Sequence, residues 1–177
     1  DMPQCCVICF FREVIDKIVI EHNAKVLVTD LWEDGPHPVY EIEYNDQRLA
    51  FFHPGIGAPL AAGLLEKVIA YGGRKFMVCG GCGGLDKDMS VGSLMVVSSA
   101  IRDEGVSYHY LPPSREVFAN PAGVKALEDT LNIKNITHLV GKTWTTDAPF
   151  RETPDRIAKR KEEGCLAWTC CKAEGSF

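Results

Sequence analysis

Apolar residues recur along this chain in two alternating rhythms. Over residues 11–22, Val14, Ile15, Ile18 and Val19 keep a period of about 3.6 residues while Glu13, Asp16 and Lys17 fall on the opposite side, which predicts an amphipathic helix. Residues 25–31, 39–44 and 48–52 are short runs rich in branched and aromatic side chains, separated by Gly35-Pro36 and Asn45-Asp46. They predict three strands, the last two paired as a hairpin. Residues 59–71 return to helical spacing through Leu60, Leu64, Leu65, Val68 and Ile69, and Gly72-Gly73 ends the run. Strands are predicted at residues 75–79, 93–100 and 137–145. Helices are predicted from Asn120-Pro121 through Leu131 and from Thr153-Pro154 to Glu163.

Two glycine-rich turns punctuate this pattern, His53-Pro54-Gly55-Ile56-Gly57-Ala58-Pro59 and Cys79-Gly80-Gly81-Cys82-Gly83-Gly84-Leu85. They bracket the apolar helix, so the order is strand, glycine turn, helix, strand, glycine turn. That order predicts an α/β fold with a central sheet flanked by helices and ligand-binding loops at strand ends. Glycine lets the backbone approach a ligand closely and tolerates positive φ, so the amides near Gly55, Gly57, Gly80 and Gly81 are candidates for surrounding phosphate or ribose oxygens.

Composition narrows the classes. A chain of 177 residues is of single-domain size and buries roughly 70% of its unfolded surface. Its hydrophobic and charged fractions, 46% and 24%, are those of an ordinary globular protein, which argues against a disordered or fibrous chain. A net charge of −5 supplies no broad attraction for nucleic acid or anionic lipid, so any phosphate site must be local. No apolar run reaches the ~20 residues needed to cross a bilayer. Residues 7–11 are too short and poorly flanked for a signal peptide, and a cytoplasmic address is expected.

Eight cysteines in a chain of this size are expected to be reduced. Two CxxC pairs, Cys6 with Cys9 and Cys79 with Cys82, lie too far apart for a compact zinc ribbon and in strand-like sequence. They are expected to be small buried residues, with no metal bound. The Asn135-Ile136-Thr137 sequon has no meaning without secretion.

The segment from Gly55-Ile56-Gly57-Ala58-Pro59 through Gly80-Gly81-Cys82-Gly83-Gly84-Leu85 resembles the nucleoside phosphorylase family. Further parts follow in order. Residues 91–97, Val-Gly-Ser-Leu-Met-Val-Val, look like the family's glycine-led strand, and residues 103–108, Asp-Glu-Gly-Val-Ser-Tyr, resemble the loop after it. Residues 141–147, Gly-Lys-Thr-Trp-Thr-Thr-Asp, look like the strand that ends at the base pocket. The likeness covers residues 50 to 167 most clearly. It implies a mixed α/β sandwich, usually homo-oligomeric, that cleaves the bond between nucleobase and ribose with phosphate as nucleophile. The products are free base and ribose 1-phosphate, and inorganic phosphate is a co-substrate with no other cofactor.

Breaking an N-glycosidic bond develops positive charge on the sugar and negative charge on the departing base, so the site must stabilise both while aligning a nucleophile. By position in the family pattern, Phe150 is the candidate for stacking on the base and Arg151 for contacting base carbonyls. His109, in the loop Ser107-Tyr108-His109-Tyr110, is a candidate for reaching ribose or closing the mouth of the cleft. His53, beside the first turn, is a weaker candidate, and no catalytic residue is assigned.

The chain departs from the family pattern in three places. Val78 and Gly81 stand where phosphorylases carry an arginine and a threonine. An early glycine-aspartate-proline-arginine motif is missing, with Arg12 the nearest substitute. After Ala167, the family's ribose-gripping glutamate motif is replaced by Trp168-Thr169-Cys170-Cys171. The expectation is therefore a nucleoside phosphorylase-like domain over residues 1–167, incomplete at its C-terminal end, with an atypical tail over 168–177 and weak or absent activity. Hydrolysis by water and a nucleoside-binding module without turnover are the alternatives. A dinucleotide-binding oxidoreductase is disfavoured, because the second turn does not spell GxGxxG and lacks a suitably spaced acidic residue.

Overall fold

The computed structural model describes residues 1–87 and 89–170. They divide into two compact units, one ending at Gly81 and the other starting at Cys82.

The first unit runs β1 (Cys5–Cys9), α1 (Arg12–Glu21), β2 (Lys25–Trp32), β3 (Gly35–Tyr44), β4 (Gln47–Phe52), α2 (Ala58–Tyr71) and β5 (Lys75–Cys79). Its sheet has the order β2-β3-β4-β1-β5. β2, β3 and β4 form an antiparallel meander, while β1 lies between β4 and β5 and is parallel to both. The predicted hairpin forms, and Asn45 and Asp46 supply its turn with φ of 50° and 59°. Positive φ at both central residues matches the twist of the flanking strands.

Alternation along β1 and β4 divides the core between two faces. Cys6, Ile8, Ala50 and Phe52 pack with Leu64 and Val68 of α2. Cys9 and Phe51 pack with Ile15 of α1, joined by Val7 and Leu49. The period-two strand pattern and the 3.6-residue helix pattern thus meet on each face.

The second unit contains β6 (Gly83–Gly84), β7 (Met95–Asp103), β8 (Glu116–Phe118), α3 (Pro121–Ile133), β9 (Leu139–Thr146), α4 (Pro154–Glu162) and β10 (Cys165–Cys170). The sheet order is β6-β10-β9-β7-β8, with β7, β9 and β10 parallel and the two short edge strands antiparallel. Leu85, Ile101, fully buried Trp144 and Cys165 form its core, with Ile157 and Trp168 against them. The fold is therefore the expected mixed α/β class, with two mixed sheets.

β7 ends at Asp103, three residues beyond the sequence expectation, because its parallel ladder with β9 continues to the pair Asp103–Thr146. Asn120 caps α3 by accepting from the amides of Ala122 and Gly123. Trp168, Thr169 and Cys170, the start of the expected tail, continue β10 in register with Trp144, Thr145 and Thr146. The rest of that tail lies outside the described residues.

Candidate functional site

Parallel strands bring their carboxyl ends to one sheet edge, where loops meet and α/β proteins bind ligands. In the first unit three such ends are neighbours. β4 leads into the first glycine turn, β5 into the second, and β1 between them leads into Phe10-Phe11-Arg12. Gly55, Gly57, Gly80 and Gly81 are therefore assembled on adjacent loops by the β1 pairings alone.

The first turn is held by His53. Its Nδ1 accepts the Gly55 amide at 3.0 Å, so that nitrogen carries no proton and the neutral ring bears its hydrogen on Nε2. Burial lowers the His53 pKa, and the Arg12 charge lowers it further. Phe10 packs edge-on against the ring at 6.2 Å between centroids.

Gly55 has φ +74°, and a Cβ there would sit 2.2 Å from Leu60 Cδ2. Both the backbone angle and the close approach require glycine. Gly57, at φ +95°, is the N-cap of α2 and supplies no side-chain cap. Pro59 has no amide hydrogen, which leaves the Ala58 and Leu60 amides as the donors that this helix end can offer an external acceptor.

Beside this turn a recess of about 320 Å³, counted with its open mouth, is lined by Arg12, Asp16, His37, Tyr40 and His53 among others. Arg12 is exposed and forms no ion pair among the described residues. His37 Nε2 lies 3.0 Å from Asp34 Oδ1, and that hydrogen bond holds the Asp34 carboxyl below its ordinary range. Sequence reasoning did not single out this pair. Its signal was the i, i+3 spacing of Asp34 and His37 across the Gly35-Pro36 turn.

The second glycine turn is only partly a loop. Gly83 and Gly84 form β6, paired with Trp168 and Ala167. A Cβ on Gly83 would meet Trp168 Nε1 at 2.3 Å, so this glycine makes room for the indole. Gly80 and Gly81 precede the bridge and pack near Phe10 and Phe11. Val78 is 61% exposed and offers no polar group.

In the second unit the carboxyl ends of β7 and β9 are adjacent. The Gly105 amide donates to Asp147 Oδ2 at 2.8 Å, tying the two following loops together. His109 ends a 3-10 turn over Val106–His109 and is exposed. Phe150 and Arg151 lie in a 3-10 turn over Pro149–Arg151; both are exposed, Phe150 at 93%. A free aromatic face is what base stacking requires.

Tyr108, by contrast, is occupied. The Arg102 guanidinium sits 4.0 Å above its ring. Buried Arg102 donates to Ser107 Oγ, the Pro112 carbonyl and Ser114 Oγ, and so organises residues 103–115. Next to Arg151, Glu152 has one buried carboxyl oxygen without a hydrogen-bond partner. Burial raises its pKa. Neither Arg102 nor Glu152 was marked by periodicity or spacing.

Among the described residues Cys5, Cys6, Cys9, Cys79, Cys82 and Cys165 are free thiols. Cys6 and Cys9 are buried as expected, but Cys79 and Cys82 are exposed. Cys79 lies at the end of edge strand β5, and Cys82 in the loop just beyond it. No group of three or more His, Cys, Asp or Glu among the described residues is arranged to hold a metal. No helix is long and apolar enough to cross a membrane among those residues.

A profile of the Phosphorylase superfamily matches residues 7–168, nearly the whole described chain. The chain belongs to the phosphorylase superfamily. It is 35% identical over 151 residues to a guanosine phosphorylase of Halorubrum lacusprofundi, covering 79% of this chain and 61% of that protein. It is 29% identical over 103 residues to a uridine phosphorylase of Haemophilus influenzae, covering 58% and 41% respectively. Its fold matches the crystal structure of uridine phosphorylase from Vibrio fischeri ES114 with a TM-score of 0.84 at 21% identity. That match covers 96% of this chain and 70% of that one. The chain thus spans about half the length of these two curated phosphorylase relatives.

Proposed function

We propose that this phosphorylase superfamily chain acts in phosphorolysis of a nucleoside to free base and ribose 1-phosphate, as a pentosyltransferase with inorganic phosphate as co-substrate. The observation that carries the reading is the 35% identity to a guanosine phosphorylase over 79% of the chain.

The first unit supports the anionic half of the chemistry. The uncapped N-terminus of α2 at Gly57, the amides of Gly80 and Gly81, and exposed Arg12 are suited to phosphate and ribose oxygens. The Gly55 amide is already engaged by His53, so Gly55 serves by shaping the turn. In the second unit exposed Phe150 is suited to stacking on the base, Arg151 to its carbonyls, and His109 to the sugar or the mouth of the cleft. These assignments, a homo-oligomeric state and a cytoplasmic location all belong to the proposal.

Val78 and Gly81, in place of the arginine and threonine expected of a phosphorylase, favour hydrolysis by water as the second reading. One assay separates them. Guanosine, inosine and uridine are incubated with the chain, with and without phosphate, while free base and ribose 1-phosphate are followed. Phosphate-dependent base release is the expected outcome; equal release without phosphate makes the chain a nucleosidase. A nucleoside-induced rise in melting temperature with no base released makes it a binding module.

A further inference from the structure

We propose that Cys9 and Cys79 are a modification site, at which a hydroperoxide oxidises the two thiols to a reversible disulfide joining the carboxyl ends of β1 and β5. The pair is set by strand register. β1 and β5 run parallel from the pair Cys5–Lys75 to the pair Cys9–Cys79. The ladder continues one step further, with the Phe10 amide donating to the Cys79 carbonyl at 2.9 Å. The backbone is therefore pinned on both sides of the two thiols.

Opposed residues on neighbouring strands lie about 4.8 Å apart, inside the roughly 4.4–6.8 Å Cα window of disulfides. Register also puts both side chains on the same face of the sheet, the α1 face that Cys9 shares with Val7. Among the described residues no other cysteine of β1 has this arrangement: Cys5 is opposed by Lys75 and Cys6 by Phe76.

The two sulfurs are chemically coupled. The neighbouring Cys79 thiol lowers Cys9 to about 6 against the opposing effect of burial. The same interaction raises Cys79. The pair therefore gives up its first proton readily and holds its second. Cys9 also lies 3.7 Å from the Phe11 carbonyl oxygen, which accepts its proton when the thiol is neutral. Cys6, by contrast, is raised to about 11 by burial and is inert.

Exposed Cys79 gives an oxidant access to the pair. The Cys9 thiolate attacks the terminal peroxide oxygen, the O–O bond breaks, and hydroxide departs, leaving a sulfenic acid on Cys9. Cys79 then attacks the Cys9 sulfur; the S–S bond forms, the S–O bond breaks, and the Cys79 proton leaves with the hydroxyl as water. Overall, two thiols and one hydrogen peroxide give one disulfide and two waters.

The test reads the bond itself, so its outcome is independent of which reaction the chain catalyses. The intact, folded chain is treated with hydrogen peroxide, free thiols are alkylated, and the digest is mapped by mass spectrometry. The expected result is a peptide pair joined through Cys9 and Cys79, lost on treatment with dithiothreitol and retained in Cys82→Ser. Free Cys9 and Cys79 after treatment, linkage to Cys82, or linkage between two chains overturns the proposal. As a second measurement, Cys79→Ala is expected to move the pH midpoint of Cys9 alkylation upward from near 6. An unmoved midpoint overturns the coupling, and if the variant does not fold, the map of the native chain decides.

Discussion

At His53 a single hydrogen bond fixes the ring's tautomer and the shape of the turn that follows. Protonating Nδ1 destroys its capacity to accept the Gly55 amide, and burial together with Arg12 opposes the charged form. The folded pKa therefore lies below the ordinary histidine value of about 6.5. The unfolded chain binds the proton more readily, so this contribution to stability is present above about pH 6.5 and is lost as pH falls through the folded value. His53→Asn, whose side-chain oxygen can still accept, is expected to flatten the melting temperature of the chain below pH 6.5. His53→Ala is expected to lower stability at pH 7.5 by about 1 kcal/mol, the usual net worth of one hydrogen bond. Thermal melts of the three proteins across this range check both, and a wild-type curve parallel to that of His53→Asn rejects the first.

At the scale of elements, glycine distinguishes a turn that needs it from a helix that tolerates it. Gly55→Ala forces a side chain into positive φ and against Leu60, with an expected cost of about 2 kcal/mol or more. Gly123, near the start of α3, has nothing within 4 Å of a new Cβ and no positive φ. Gly123→Ala is expected to stabilise by about 0.5–1 kcal/mol. Opposite shifts in chemical denaturation midpoint are the outcome to look for. A second test concerns the join between β7 and α4. Asp103 accepts from Arg115 at 2.7 Å, from Arg160 Nη2 at 2.6 Å and from the Trp144 indole at 2.8 Å. Asp103→Asn leaves buried Arg160 with Glu163 as its remaining carboxylate partner, and a loss of about 2 kcal/mol is expected from the same denaturation measurement.

These elements also show what the sequence could reveal. α1, α2 and the β3–β4 hairpin were legible because each repeats its period over several residues or turns on Asn45-Asp46. β6 and β8 were not, since two and three residues carry no period. Gly83 was read as part of a ligand turn, but the indole it accommodates lies 85 positions away on β10 and leaves no local signal. The parallel neighbours of β1 were likewise invisible in the sequence, though they are what gather the candidate glycines. Conversely, Phe150 and Arg151 were found only through the family pattern, because exposed residues on a short turn obey no packing rule.

Across the whole molecule, acid stability should follow the paired carboxylates rather than the net charge. Asp34, Glu41, Glu116 and Glu163 are held below the ordinary carboxylate range chiefly by hydrogen bonds from His37, Arg48, Lys142 and Arg115. For Asp103, burial works in the opposite direction, but the bonds from Arg115 and Arg160 outweigh it and the pKa is lowered. Among the described residues Glu152 alone of the shifted carboxyls is raised, by burial. Unfolded carboxyls titrate near pH 4. The five lowered groups therefore contribute stability that is present above about pH 4 and is lost as pH falls through their folded values, with Glu152 opposing weakly. Melting temperature is expected to fall steeply between pH 4 and 3, and less steeply in Asp103→Asn, which has already lost one of the groups that titrate. Salt separates the contributions. Asp34 lies in water, so its pairing is screened at about 1 M ionic strength, where the Debye length is about 3 Å. Arg160 beside Asp103 is 5% exposed, and its pairing survives that screening. An acid transition that vanishes altogether in high salt would place the sensitivity on the exposed pairs instead of the β7–α4 network.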